Sequence, residues 1–177
     1  VRRLLKRSTN QQKHNMKTID TRDLYERKCE IESLRDAVTT AREELEEAQA
    51  ALAAHDPESQ DPEDEKNNET LSDLKDVVSE SEGNLESAEA DFGDDEKTEL
   101  EELETLKNEI SDFKHGETMI PENDFEDYAR ELAEDIGAIS GNEEWPCNCI
   151  DWERAARELA MDYSTVEYQG DTYLVRS

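Results

Sequence analysis

Apolar residues recur in alternating steps of three and four between Leu24 and Phe113, and this spacing constrains the fold more than any other feature. The steps mark the a and d positions of a heptad repeat, which predicts helices that bury one narrow seam. A polar gap, HDPESQDPEDEKNN, divides the pattern into two arms. The predicted seam residues are Leu24, Ile31, Leu34, Val38, Leu45 and Leu52 in the first arm, and Leu71, Leu74, Val78 and Leu85 in the second.

The two arms predict helices over about 21–54 and 69–114, joined by a loop at 55–68 that contains two prolines and no apolar residue. Asp20 or Thr21 is the expected N-cap of the first helix. Gly93 interrupts the second arm with a weak point or a short break. An antiparallel hairpin is favoured by the loop, and a parallel coil between two chains is the alternative, because nothing in the seam fixes the orientation.

The last 60 residues differ in composition, because most of the aromatic residues cluster there. Phe125, Ala129, Leu132 and Ile136 predict one amphipathic helix, and a second helix begins at Asp151. Alternating residues around Gln169-Gly170 predict a β-hairpin. The expected fold is mainly α: a long antiparallel coiled-coil helical hairpin over 16–115, followed by a small α+β domain over 118–177 with two helices and a C-terminal β-hairpin.

Residues 1–15 carry five basic side chains and no acid, which predicts a basic, disordered extension. The charge reverses at Met16. Two interpretations stay open for this segment: an added extension before a native start at Met16, and a functional basic tail that folds back on the acidic body.

Charge is the second dominant feature, since 49 Asp and Glu face 20 Lys and Arg for a net charge of −29. From Asp56 to Glu104 there are 21 acids and three lysines. Such a body repels nucleic acid and anionic membranes, so no direct binding to either is expected and a basic partner is. The predicted partner-binding surface consists of Asp73, Asp76, Glu80, Glu82, Glu86, Glu89, Asp94, Asp95, Glu101, Glu102, Asp127, Glu131, Glu134 and Asp135.

Catalytic and metal-binding signatures are missing from the sequence. Cys147 and Cys149 are separated by one residue, whereas structural zinc sites commonly use two CxxC-like pairs. No Gly-rich phosphate loop, nucleophile elbow or HExxH stretch is present. The expectation is a protein that is not an enzyme and uses no metal or cofactor. Three cysteines and no apolar run of about 18 residues predict a cytoplasmic protein.

The final third, FEDYARELAEDIGAI, then WP, then IDWERAARELAMDYSTVEYQGDTYLVR, resembles the last domain of ArdA-type antirestriction proteins of phages and other mobile elements. The resemblance covers about 55 residues and leaves the coiled-coil arms unrecognised. It implies DNA mimicry, in which carboxylates take phosphate positions in the DNA groove of a restriction–modification enzyme. It also implies a homodimer formed through the C-terminal region, acting in a bacterial host cell.

Two functions of different classes follow. The first is an acidic inhibitor that occupies the basic groove of a host DNA-binding defence enzyme, either a type I restriction–modification complex or a CRISPR effector. The alternative is a coiled-coil adaptor or structural protein whose charge only keeps it soluble. Glu→Gln changes in the second arm are expected to impair only the inhibitor, and Leu→Asp changes in the seam are expected to impair the adaptor.

Overall fold

The structure, a computed structural model, describes residues 17–55, 65–139, 145 and 147–176, so the predicted extension 1–15 and most of the predicted loop lie outside it. The elements are β1 (Ile19–Asp20), α1 (Thr21–Ala54), α2 (Glu65–Asp91), α3 (Asp94–Glu109), β2 (Thr118–Pro121), α4 (Phe125–Asp135), α5 (Trp152–Leu159), β3 (Tyr163–Tyr168) and β4 (Asp171–Arg176). The predicted mainly α fold with a C-terminal β-hairpin is confirmed.

The chain divides into two units. The helical unit is Arg22–Asn108, and the C-terminal unit combines the chain up to Thr21 with the residues from Glu109 onward. This division differs from the boundaries expected from the sequence, because strand pairing captures the segment before α1. Ile19 lies opposite Met119 in an antiparallel pair, and the backbone N–H of Thr21 donates to the carbonyl of Glu117 at 2.9 Å.

In the helical unit, α1 begins and ends at the predicted residues, and its 34 residues span about 50 Å. Two ion pairs define how it lies against the second arm: Arg27 with Glu99, and Arg42 with Glu89, both at 2.9 Å. The partner number falls as the α1 number rises. The two arms therefore run antiparallel within one chain.

The second arm is two helices rather than the single helix predicted over 69–114. α2 begins at Glu65, inside the predicted loop, and ends before Gly93. The Gly93 N–H donates to Oε2 of Glu96 at 3.1 Å, which satisfies a free donor at the start of α3. α3 ends at Glu109 because Ile110 and Phe113, which continue the apolar spacing, are buried in a turn rather than in a helix.

The seam is much deeper at one end of the hairpin than at the other. Ile31, Leu103 and Leu106 are fully buried, and Leu24 and Leu100 are nearly so. The other predicted seam residues are only half-buried: Leu34, Val38, Leu45, Leu52, Leu71, Leu74, Val78 and Leu85. The residues buried in the half of the hairpin nearer the connecting loop are small, namely Ala41, Ala48 and Ser81. Two helices alone leave large side chains partly open to water.

The C-terminal unit is built on a four-stranded antiparallel sheet in the order β1-β2-β4-β3. The sequence predicted only the β3–β4 hairpin, because β1 is two residues long and β2 ends in a proline. Helices α4 and α5 contribute Phe125, Ala129 and Ala156 to a core with Ile120 and Leu174. Tyr173 and Val175 alternate with Leu174 along β4 and are buried as well, so both faces of the sheet are covered.

Local chemistry explains the ends of these elements. Oδ1 of Asp151 accepts from the backbone N–H of Arg154 at 3.0 Å and caps α5. Gly137 has a φ of 71° and turns the chain after α4. The expectation that Ile136 faces inward is wrong, because α4 has already ended at Asp135 and the Ile136 side chain is 70% exposed.

Candidate partner-binding surface

The helical unit displays ten of the predicted acidic residues along α2 and α3. Nine of them are exposed, and Glu102 is half-buried. The heptad pattern causes this arrangement, since apolar side chains occupy the seam and carboxylates fill the positions that face water. The exposed members are Asp73, Asp76, Glu80, Glu82, Glu86, Glu89, Asp94, Asp95 and Glu101.

The carboxylates of α2 form two rows rather than one surface. Asp73, Asp76 and Glu80 are spaced three and four residues apart and share a helix face that points away from the seam. Glu82, Glu86 and Glu89 form a second row beside the seam, where Glu89 bonds to Arg42 of α1. Only the outward row is free of a visible neighbouring cation on α1.

Helix α3 is the more densely charged of the two, with eight acids and two lysines in 16 residues. Asp94, Asp95 and Glu96 occupy its first turn, where the helix dipole favours negative charge. Asp94 bonds to Lys97 at 3.0 Å, yet its side chain is 98% exposed. Such an exposed pair contributes little, about 0–1 kcal/mol, so Asp94 remains accessible to a partner.

The ion pair between Arg27 and Glu99 was not found from the sequence. The guanidinium of Arg27 donates through Nη2 at 2.9 Å and through Nε at 3.2 Å to the Glu99 carboxylate. This hydrogen bond is the first cause of the raised pKa of Arg27. The available signal was position, since Arg27 lies one heptad before the seam residue Leu34 and would have indicated a polar seam pair.

Helix α1 is not uniformly balanced in charge. Its basic residues end at Arg42, and the four acids that follow are all exposed: Glu43, Glu44, Glu46 and Glu47. Near the start of the helix, Lys28 is 2% exposed and its ammonium bonds to Glu32. The hydrogen bond from Lys28 holds the pKa of Glu32 below its usual value. The half of the hairpin nearer the loop is therefore acidic on both arms.

The remaining predicted acids lie on α4 in the C-terminal unit. Glu131, Glu134 and Asp135 are exposed, and Asp127 is half-buried. α4 holds five acids and one basic residue, Arg130, whose guanidinium lies 5.4 Å from the ring centre of Trp152. The neighbouring α5 pairs its charges internally, with Arg154 on Glu158 and Arg157 on Glu153.

Other kinds of site receive little support. Within 17–55, 65–139, 145 and 147–176, no group of three or more His, Cys, Asp or Glu side chains could hold a metal ion. In the same part of the chain, no helix is long and apolar enough to cross a membrane. A cavity of about 290 Å³ in the C-terminal unit is lined by carboxylates and one guanidinium, including Asp112, Glu117 and Arg176, and is open at the surface.

Comparison with known proteins decides the family. The model of the family described as "Antirestriction protein (ArdA)" matches residues 8–173. The chain belongs to the ArdA family. The match reaches far beyond the 55 residues that carry the resemblance in the sequence, and it includes both helical arms. Neither the curated proteins nor the solved structures contain a match to the chain.

Proposed function

We propose that the chain is an antirestriction inhibitor that mimics DNA and occupies the basic DNA groove of a type I restriction–modification enzyme. Membership in the ArdA family supports the antirestriction role. The observation that carries the mechanism is the succession of exposed carboxylates on α2 and α3, which continues across the break at Gly93. The protein then acts by charge and shape, without catalysis, metal or cofactor. A CRISPR effector with a similar groove is a further target of the same kind.

The charge density compares best with one strand of DNA. α2 has nine acids and two lysines, and α3 has eight acids and two lysines. Over about 65 Å of helix this is about one net charge per 5 Å. One strand of duplex DNA has about one charge per 3.4 Å, and both strands together have about one per 1.7 Å. The second arm therefore supplies charge comparable to a single strand, which fits one wall of a DNA groove.

Binding through such a surface must weaken with salt. Displaced counterions make phosphate-binding grooves sensitive to ionic strength, and screening shortens the reach of the field to about 8 Å at 0.15 M salt. We expect the protein to compete with duplex DNA for the purified restriction–modification enzyme at low salt. We also expect the inhibition constant to rise steeply between 50 and 300 mM salt, in parallel with the DNA affinity of the enzyme.

Charge-neutralising variants test which carboxylates are read. The combined change Asp73→Asn, Asp76→Asn and Glu80→Gln removes the outward row of α2 and is expected to weaken inhibition at least tenfold. A matched control, Glu153→Gln with Glu158→Gln, neutralises acids on α5 that are paired with arginines. Equal losses in both variants, with circular dichroism unchanged, would show that total charge matters and not the α2 row.

The adaptor function is the competing proposal, and it gains support from the half-buried leucines in the half of the hairpin nearer the loop. The exposed change Val77→Asp distinguishes the two, because Val77 is 49% exposed and lies beside the seam. A DNA mimic keeps its inhibition after this change, while an adaptor that uses the apolar stripe loses its partner. Family membership favours the inhibitor.

The proposed partner is a basic DNA-binding complex in the cytoplasm of a bacterial host cell, and the proposed active form is a homodimer. A dimer doubles the length of acidic surface without lengthening either chain. Sedimentation at low protein concentration, with and without the purified enzyme, measures both the dimer and the stoichiometry of the inhibited complex.

A further inference from the structure

Strand β3 forms one outer edge of the sheet in the C-terminal unit. It pairs with β4 over its full length, from Tyr163 opposite Arg176 to Tyr168 opposite Asp171. Among the described residues, no strand pairs with its other side. An open strand edge presents unpaired N–H and C=O groups that can pair with another strand.

The hairpin turn determines which groups point to this edge. Gln169 and Gly170 have φ values of 50° and 81°, the conformation of a type I′ two-residue turn. The flanking residues Tyr168 and Asp171 then form a hydrogen-bonded pair, and the two kinds of pair alternate along the strand. The residues whose backbone groups point away from β4 are Tyr163, Thr165 and Glu167.

The composition of β3 leaves this edge unprotected. Natural edge strands commonly contain Lys, Pro or a bulge that prevents pairing with other chains. The sequence YSTVEY has no Lys, Arg or Pro, pairs with β4 without a bulge and contains one charge, at Glu167. Met161, two residues before the strand, is 81% exposed and adds an apolar side chain at the start of the same edge.

Charge indicates a second copy of the chain as the occupant. Two bodies with a net charge of −29 repel each other, so they meet most readily where each contributes few carboxylates. If Thr165 lies opposite Thr165 of a second copy, Tyr163 lies opposite Glu167 of that copy. The two carboxylates are then on opposite sides of the axis, and the like-charge pairs that destabilise a sheet do not form.

We propose that β3 pairs with β3 of a second copy in antiparallel orientation about a two-fold axis at Thr165. The two four-stranded sheets then become one sheet of eight strands. The inference rests on the homodimer of the proposed function and names the interface that forms it.

Substitution by proline tests the edge directly. Thr165→Pro removes an N–H that points to the open edge, and the hydrogen bonds to β4 made by Ser164 and Val166 remain. We expect sedimentation equilibrium to give the mass of two chains for the wild type and of one chain for this variant. Thr165→Val keeps the N–H and is expected to stay dimeric. Thr165→Lys, which places like charges opposite each other, is the second variant should the proline disturb folding.

Disulfide cross-linking tests the register, in a background where Cys29, Cys147 and Cys149 are changed to Ser. Thr165→Cys places the two Cα atoms about 5.5 Å apart, within disulfide range. Glu167→Cys is the matched control, because four residues of offset separate its two copies by about 13 Å. We expect an oxidised dimer for the first and none for the second. A wild-type monomer, a dimer that survives both Thr165→Pro and Thr165→Lys, or cross-linking only at 167 would overturn the proposal.

The interface and the inhibition fail separately. Mass and cross-linking are measured on the protein alone, whereas DNA mimicry is measured by competition with duplex DNA. A dimer with the stated cross-link supports the interface even where competition is absent, and a monomer that competes overturns the interface while leaving the mimicry in place.

Discussion

The helical unit and the C-terminal unit bury their apolar residues to very different depths. The C-terminal unit covers both faces of a sheet, with Val166 and Val175 only 3% and 2% exposed. The helical unit has fully buried aliphatic residues only at the end that holds Ile31, Leu103 and Leu106. Beyond these residues, two helices share a shallow seam of small and half-buried side chains. A unit that displays charge on most of its surface has little surface left to bury.

This difference teaches how charge and stability are divided. Repulsion among like charges acts against any compact fold. The C-terminal unit offsets it with an aromatic cluster, in which the ring centres of Phe125 and Tyr163 lie 5.0 Å apart in an edge-to-face contact. The helical unit offsets it with ion pairs placed at the seam, such as Arg27 with Glu99. The predictions below test that division, beginning with the largest effect.

The change Phe125→Ala is expected to destabilise the C-terminal unit by about 3–5 kcal/mol, because it removes a 4%-exposed ring and leaves a cavity. The ring also contacts Tyr128, whose hydroxyl bonds to that of Tyr163 at 3.0 Å. Urea unfolding followed by tyrosine fluorescence measures the loss. Ile136→Ala is the control, since that side chain is 70% exposed and should change stability by less than about 0.5 kcal/mol.

The second prediction concerns depth along the hairpin. Leu103→Ala is expected to cost about 2–5 kcal/mol, and Leu74→Ala, at a half-buried seam position, clearly less. Helicity measured by circular dichroism during urea unfolding reports both variants. Equal losses would contradict the contrast, because they would mean that the half of the hairpin nearer the loop is packed as deeply as the end that contains Leu103.

Much of this architecture could be predicted from the sequence, where local signals and burial agree. The bounds of α1 followed from a heptad run without Gly or Pro, and the break in the second arm followed from Gly93. The turn at Gln169-Gly170 followed from its residue types. In each of these cases the deciding interactions lie within a few residues along the chain.

The features that could not be predicted depend on contacts distant in sequence. β1 exists because Ile19 meets Met119, a hundred residues away, and two residues give no periodic signal. Ile110 and Phe113 continue the helical spacing but belong to the other unit, which explains the wrong end assigned to the second arm. The acidic surface was predicted as one list, whereas the structure separates it into two rows on α2, a dense stretch on α3 and a group on α4.

The third prediction addresses the strand that precedes α1. Thr21 is fully buried, and its Oγ1 accepts from the backbone N–H of Glu117 at 2.8 Å. Thr21→Val keeps the shape and removes the acceptor, which should destabilise the C-terminal unit by about 1–3 kcal/mol. Thr118→Val, at an exposed neighbouring position, is the control. Hydrogen exchange at the Glu117 amide checks the cause, since its protection should fall only in the first variant.

The fourth prediction uses pH on the helical unit. Lys28 holds the pKa of Glu32 below its ordinary value of 4.5, so the pair stabilises the fold above that pH. The contribution falls as the pH drops from about 4.5 through the lower pKa of the folded state. The free energy of unfolding of Glu32→Gln should therefore lie below that of the wild type at pH 7, and the two should converge near pH 3. A constant difference between pH 3 and pH 7 would show that the carboxylate is not the cause.

The smallest effect is expected at Arg42 and Glu89, which join the two arms through an ion pair at 2.9 Å with both side chains more than half exposed. A double-mutant cycle with Arg42→Ala and Glu89→Ala should give a coupling energy of about 0.2–1 kcal/mol, and this should shrink in 1 M salt. The Arg27–Glu99 pair, with Glu99 only 22% exposed, should give a larger coupling that salt reduces less. If the two couplings are equal, burial does not grade the ion pairs along the hairpin. If they differ in this order, the polar contacts of the helical unit weaken from its buried end toward the loop as its apolar contacts do. The more acidic half is then also the half held together least.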